Sequence, residues 1–305
     1  MQHNDQLTYT HIASHAAGVY AVCRGPEQHQ VFSAGADRFV ALWDIEEAEQ
    51  LPFSVRLEHA AYAVHYSPSH CLLLAGNSRG HIHVIDFENR SERALIEFHG
   101  KGVFRFLELC TQDILLSVGG EGNMALWRLP EMQLVRQIPI GNHALRGLSV
   151  NADETLIALG CGDGSVRVFE TTFFNEVYTW NGHSGTVNCT AFHPTKPVVL
   201  SGGKDGHLRM WSLTDDREIL SIEAHNYALY DLAFSMDGSL CATASFDKTV
   251  KLWNASTFDK PIRLNHPPRT AARSFNTLCW TAERKLVYSG DNKVISICNT
   301  EYYKL

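Results

Sequence analysis

The chain has 305 residues, 45% hydrophobic and 19% charged, with a formal net charge of −7, an ordinary globular composition with ample material for a core. The negative balance argues against nucleic acid or an anionic membrane surface as the partner. No stretch approaches the roughly 18 apolar residues of a membrane span, and the opening "MQHNDQLTYTHIASH" has no basic segment followed by an apolar run, so no signal peptide is expected.

Taken from the start, "LTYTHIA" (7–13) alternates like a strand. His15 follows, and then "SAGADRFVALWD" (33–44), which reads as two short strands about a turn holding Asp37, with Trp43 six residues on. The same arrangement returns down the chain. "AGNSRGHIHVID" (75–86) is a decayed copy, and "SVGGEGNMALWR" (117–128) carries Glu121 for the acid. "LGCGDGSVRVFE" (159–170) carries Phe169 for the indole, and "SGGKDGHLRMWS" (201–212) is a full copy. "TASFDKTVKLWN" (243–254) shows the logic most plainly. Val250 and Leu252 point one way and Thr249 and Lys251 the other, the period of a half-buried strand, while Asp247 stands in the turn, where its carboxylate can accept nearby donors. A last decayed copy, "VYSGDNKVISIC" (287–298), ends in Ile297. A histidine precedes each copy: His15, His59, His99, His143, His183, His225 and His266, which makes seven units of about 42 residues.

On these residues the chain resembles the WD-repeat β-propellers over nearly its whole length, from about residue 6 to 299. The resemblance implies an all-β fold: a single seven-bladed propeller of four-stranded antiparallel blades over 1–305. Residues 6–13 are expected to complete the last blade and close the ring, removing the open sheet edges that invite aggregation. It also implies a structural tetrad in each unit, made of the leading His, a hydroxyl in the second strand, the hairpin acid and the Trp. Three sets are complete: His15, Ser33, Asp37, Trp43; His183, Ser201, Asp205, Trp211; and His225, Thr243, Asp247, Trp253. A fourth, His99, Ser117, Glu121, Trp127, has the longer acid. The second unit has Ala75, Arg79 and Ile85 in those places, the fourth has Leu159 for the hydroxyl, and the seventh has Val287 and Ile297. Aligning "TLCW" (277–280) with "DLAF" (231–234) puts the seventh histidine's place at Ala271, so "HPPRTAARS" (266–274) reads as a lengthened loop.

Several features mimic chemistry. His183, Ser201 and Asp205 are the three groups of a hydrolase triad, but they recur with the repeat, as scaffold does, and no G-x-S-x-G elbow accompanies them. "GCGDGS" (160–165) and "SVGGEG" (117–122) resemble phosphate loops, yet both fall on hairpin turns with no helical pattern or Gly-Lys-Ser/Thr ending behind them. His81 and His83 share one strand face without an evident third metal ligand. The eight cysteines stand singly with no C-x-x-C pair, so neither a zinc site nor a disulfide framework is indicated, and a reducing cytoplasm is the expected setting.

A sharper signal lies at one rim. Residues three and five after each His, and the one before each hairpin acid, point to the face called the top. They include Tyr20, Tyr62, Phe104, Arg146, Thr186, Asn188, Lys204, Tyr230 and Phe246, with Arg269 and Arg273 added by the last loop. Tyr, Phe and Arg are anchor residues of interfaces. The expected function is therefore a non-enzymatic protein-interaction scaffold, a monomeric propeller within a larger assembly. It would hold a peptide or partner domain on its top face, with an acidic segment as the favoured class because of the basic members. No catalytic residue, metal or cofactor is assigned, and neither a nucleic-acid nor a membrane partner. The alternative is an enzyme with its site at the channel mouth, which should show a non-repeating acid, base or metal cluster there. The family's W-D-x-R docking box is absent, since Ile45 and Glu46 follow Trp43–Asp44.

Overall fold

A strand with apolar side chains on both faces cannot sit at a surface, and the second and third strands of most units are of this kind: Leu72–Asn77, Ile114–Gly119 and Leu240–Ser245 are buried throughout. The computed structural model, which describes residues 7–264, 274–301 and 303, resolves that demand by stacking seven four-stranded antiparallel sheets in a ring. Blade 1 runs from its innermost strand Val19–Arg24 out to Glu49–Arg56, blade 2 from Ala61–Ser67 to Ser91–Glu97, and blade 3 from Val103–Leu109 to Gln133–Pro139. Blade 4 runs from Leu145–Val150 to Glu176–Asn181, blade 5 from Val187–Phe192 to Arg217–Glu223, and blade 6 from Leu229–Phe234 to Ile262–Arg263. Blade 7 holds Phe275–Trp280, Lys285–Gly290 and Val294–Asn299, and its fourth strand is Thr8–Ala13 from the other end of the chain, paired antiparallel from Thr8 opposite Asn299 to Ala13 opposite Val294.

Among the described residues no single central core exists. The buried apolar residues fall into seven clusters among the described residues, one at each junction between neighbouring blades. The junction of blades 7 and 1 packs Ile12, Ile295 and Ile297 against Val31, Ala41 and Trp43. That of blades 4 and 5 includes a parallel stack of Trp180 on Trp211, ring centroids 5.5 Å apart.

The tetrads appear in blades 1, 3, 5 and 6. In blade 5, Trp211 Nε1–H donates to Ser201 Oγ at 2.8 Å, Ser201 Oγ lies 2.7 Å from His183 Nε2, and His183 Nδ1 lies 3.0 Å from Asp205 Oδ1. An indole N–H can only donate, so the hydroxyl proton goes to Nε2, and Nδ1–H is left to donate to the acid. Blade 1 repeats the chain through Trp43, Ser33, His15 and Asp37, blade 6 through Trp253, Thr243, His225 and Asp247, and blade 3 through Trp127, Ser117, His99 and Glu121. In the three Asp blades the carboxylate also accepts a backbone N–H, from Ala16, Ser184 or Asn226. Glu121 reaches His99, but its second oxygen has no hydrogen-bond partner. Ser201 is fully buried, so its hydroxyl has no route to a substrate.

Blades without a tetrad improvise. In blade 2 the buried His83 lies between Asn77 and Glu92, at 3.2 and 2.7 Å, while the His81 ring contacts that of His59. In blade 4 His143 is exposed, and Arg167 instead pairs with Asp163 at 2.9 Å and donates to the Ile140 carbonyl. Blade 7 corrects the alignment read from the sequence. Its hairpin pairs Val287 with Ile297 and Tyr288 with Ser296, so the turn centres on Asn292, not Asp291. By comparison with Val31 opposite Trp43, the tetrad places belong to Tyr288, Asn292 and Cys298. Decay of the Trp and hydroxyl had hidden this one-residue slip. His266 and Ala271 lie outside the described residues.

Trp211→Ala is expected to destabilise the protein by about 3–5 kcal/mol, since it removes a buried ring and the donor to the Ser201 hydroxyl; chemical denaturation measures the loss. Acidity should act on the same network. Burial would raise the carboxyl pKa of Asp205 and Asp247, but the bonds and charge of their histidines, with backbone N–H donors, outweigh it and hold both well below the ordinary range. Burial depresses His225 despite Asp247. Depressed carboxylates contribute stability that is present above their unfolded pKa and lost below it, and a histidine held neutral makes protonation favour the unfolded chain. The melting temperature should therefore start to fall below about pH 6.5 and drop steeply below about pH 4.

Candidate functional site

The innermost strand of every blade contains a β-bulge one residue after its start. The register skips between Val19 and Ala21, Ala61 and Ala63, Val103 and Arg105, and Leu145 and Gly147. It skips again between Val187 and Cys189, Leu229 and Asp231, and Phe275 and Thr277. A bulged residue leaves the ladder and its side chain is re-aimed. The seven residues so displaced are Tyr20, Tyr62, Phe104, Arg146, Asn188, Tyr230 and Asn276, and all seven line one cavity of about 370 Å³ at the mouth of the ring. Arg105, Phe246, Ser274 and Asp291 complete the lining.

The backbone fixes the rim as regularly. In each blade one hairpin N–H donates to a carbonyl in the loop before the innermost strand: Ala36 to Gly18, Ser78 to Ala60, Gly120 to Gly102, Gly162 to Ala144, Lys204 to Thr186, Phe246 to Ala228 and Asp291 to Ser274. Phe246 and Asp291 thus occupy equivalent places on blades 6 and 7.

The walls are aromatic on two arcs. Tyr20 meets Tyr62 edge-on at 5.3 Å, Tyr62 stacks on Phe104 at 6.1 Å, and the guanidinium carbon of Arg146 stands 4.3 Å over Phe104. On the other side Phe246 lies edge-on to both Tyr230 and Tyr227, at 6.1 and 6.0 Å, with Tyr227 and Phe246 61% and 46% exposed. Burial by these rings lowers the Arg146 pKa, while Tyr230 and Tyr62 oppose the shift. Burial, helped by Asp291, raises that of Tyr20; it also raises that of Tyr230, where Arg146 opposes it.

An ion pair spans the ring beside this lining. Arg105 of blade 3 meets Asp231 of blade 6 at 2.6 Å, and blades three apart can touch only across the axis. The other Asp231 oxygen accepts the Leu278 N–H of blade 7 at 2.9 Å. Asp231 is 5% exposed, and the pairing raises the Arg105 pKa although burial alone would lower it.

Of the eleven rim residues expected from the sequence, Tyr20, Tyr62, Phe104, Arg146, Asn188, Tyr230 and Phe246 meet in the cavity, while Thr186 lies outside the lining. Asn188 is 8% exposed and donates its amide to the Leu229 carbonyl at 2.7 Å, so it braces blades 5 and 6. Lys204 is exposed on the rim, outside the lining, and Arg269 and Arg273 lie outside the described residues. Sequence reading missed Arg105, Ser274, Asn276 and Asp291. Asn276 was within reach, because aligning 277–280 with 231–234 puts it at the place of Tyr230, and Asp291 was concealed by the one-residue slip in blade 7.

The WD domain, G-beta repeat, family matches residues 6–44, 174–212 and 216–254, which fall within a ring of seven four-stranded blades. The chain is a WD-repeat β-propeller. It is 24% identical over 221 residues to telomerase protein component 1 of Mus musculus, covering 71% of this propeller and 8% of that protein. It is 30% identical over 142 residues to transducin beta-like protein 3 of Rattus norvegicus, 46% of this propeller and 16% of that protein. Serine-threonine kinase receptor-associated protein of Bos taurus is 22% identical over 240 residues, 78% and 67% of the two chains. The propeller thus spans only a small part of the first two relatives. A general role in protein interaction is what these likenesses support.

Arg105→Ala in this propeller should cost about 3–5 kcal/mol by leaving the buried Asp231 carboxylate unpaired, read as a lowered denaturation midpoint.

Proposed function

We propose that the propeller is a non-enzymatic scaffold that holds a peptide or partner domain at the mouth of its ring. The observation that carries this reading is the convergence of seven bulged residues, one per blade, on one cavity in which four of the seven are aromatic or Arg side chains from neighbouring blades 1 to 4. Rigid rings with few rotamers bind at low entropic cost, and a guanidinium stacked on a ring keeps its donor fork free for a carboxylate. Two relatives are named as a telomerase component and a receptor-associated protein, and membership of an assembly belongs to the same proposal. So is a cytoplasmic setting, for which the eight unpaired cysteines speak. The basic residues of the 266–274 loop favour an acidic partner segment.

Affinity purification with mass spectrometry identifies the partner, and titration then locates it. Tyr230→Ala and Arg146→Ala are each expected to weaken capture about tenfold or more, with melting temperature unchanged because neither residue belongs to a tetrad, and capture by the unaltered protein should weaken as salt rises. Full binding by both variants, with loss on substituting the exposed outer-strand residues Val135, Val177 and Ile219, would place the partner on the blade edges and overturn the reading.

A further inference from the structure

Two formal charges at the mouth have no ion-pair partner among the described residues, and they stand on opposite sides. Arg146 belongs to blade 4, where its guanidinium lies on the Phe104 ring. Asp291 belongs to the hairpin of blade 7, on the flank facing blade 1. It lies so close over the Gly18 backbone that a Cβ there would fall 2.6 Å from its Oδ1, and among the described residues its carboxylate has one hydrogen-bonding side chain, the amide of Asn276 at 3.4 Å. Blade 4 is three blades from blade 7 and three from blade 1, so cation and anion face each other across the cavity. The remaining charged residue of the described lining, Arg105, is neutralised by Asp231.

This arrangement discriminates between occupants. A purely acidic segment seated on Arg146 would bring its carboxylates into a shielded cavity that already contains Asp291, a juxtaposition that disfavours the charged form of both. A purely basic segment meets the same obstacle at Arg146. A segment with one side chain of each sign satisfies both ends. The Asp291 end also offers a ring for a cation, Tyr20, whose phenol lies within electrostatic reach of that carboxylate. Tyr230 lies within reach of both charges.

We propose that the mouth recognises a dipolar peptide segment, its carboxylate held by Arg146 and a lysine or arginine side chain held by Asp291 beside Tyr20. The proposal rests on the reading of the mouth as the docking site and adds to it the cationic half of the occupant, together with Asp291 as the residue that selects it.

The test uses the full chain, immobilised, and a displayed library of peptides randomised at consecutive positions. Peptides enriched on the unaltered protein should carry both an acidic and a basic residue at a fixed separation. The library selected on Asp291→Asn should keep the acidic residue and lose the basic preference, and Arg146→Gln should do the reverse. Each variant should bind the originally enriched peptide about tenfold more weakly, and melting curves show that the variants are folded. If enriched peptides depend on Tyr230 but show no basic preference, or are indifferent to Asp291→Asn, the dipolar proposal falls while the docking site stands. If no peptide is enriched, or enrichment survives Tyr230→Ala and Arg146→Gln alike, both fall.

Discussion

A blade of this protein has two apolar faces and can bury neither by itself. Every buried cluster is shared by two neighbours, so each blade is stable only because another flanks it, and the set must close on itself. The pairing of Thr8–Ala13 with Val294–Asn299 supplies that closure through backbone hydrogen bonds. The tetrads are subordinate to it: four blades have them and three do without, yet all seven keep the same hairpin-to-loop bond. That bond and the bulge beneath it set where each rim side chain stands.

The architecture places four kinds of residue at one position that repeats seven times. The bulge repeats, but the residue it presents is Tyr, Tyr, Phe, Arg, Asn, Tyr or Asn in turn. Sequence variation at a constant backbone position converts a repetitive frame into a site with sides: aromatic on blades 1 to 3, cationic on blade 4, amide on blades 5 and 7. The Arg105–Asp231 pair crosses the axis beside them and braces blades that share no core.

Much of this was legible in the sequence, because the repeat unit is short and its markers are chemically distinctive. Asp247 and Trp253 stand six residues apart because a tight hairpin sets the acid at the turn and the indole opposite Cys241, and the histidine spacing counted the blades. The mouth residues were found by their offset from the histidine. What escaped depended on something other than local pattern. Asp291 was lost because blade 7 retains none of the marks that fix the hairpin register, so a slip of one residue left no trace. Arg105 was overlooked because its partner is 126 residues away on the far side of the ring, and spacing along the chain says nothing about which blades face each other. Asn188 was legible as a rim residue, while its bond to the Leu229 carbonyl, which turns it into a brace, needed the fold.

The closing strand has a consequence for synthesis. Thr8–Ala13 and Val294–Asn299 lie at opposite ends of the described chain, and translation at roughly 5–20 residues per second separates their emergence from the ribosome by tens of seconds. Through that interval six blades can stack in order, each on the one before it, while the first strand waits without a partner and blade 1 keeps one flank open. The nascent protein is an unclosed arc with two sticky ends, and only release of the final hairpin lets one end find the other.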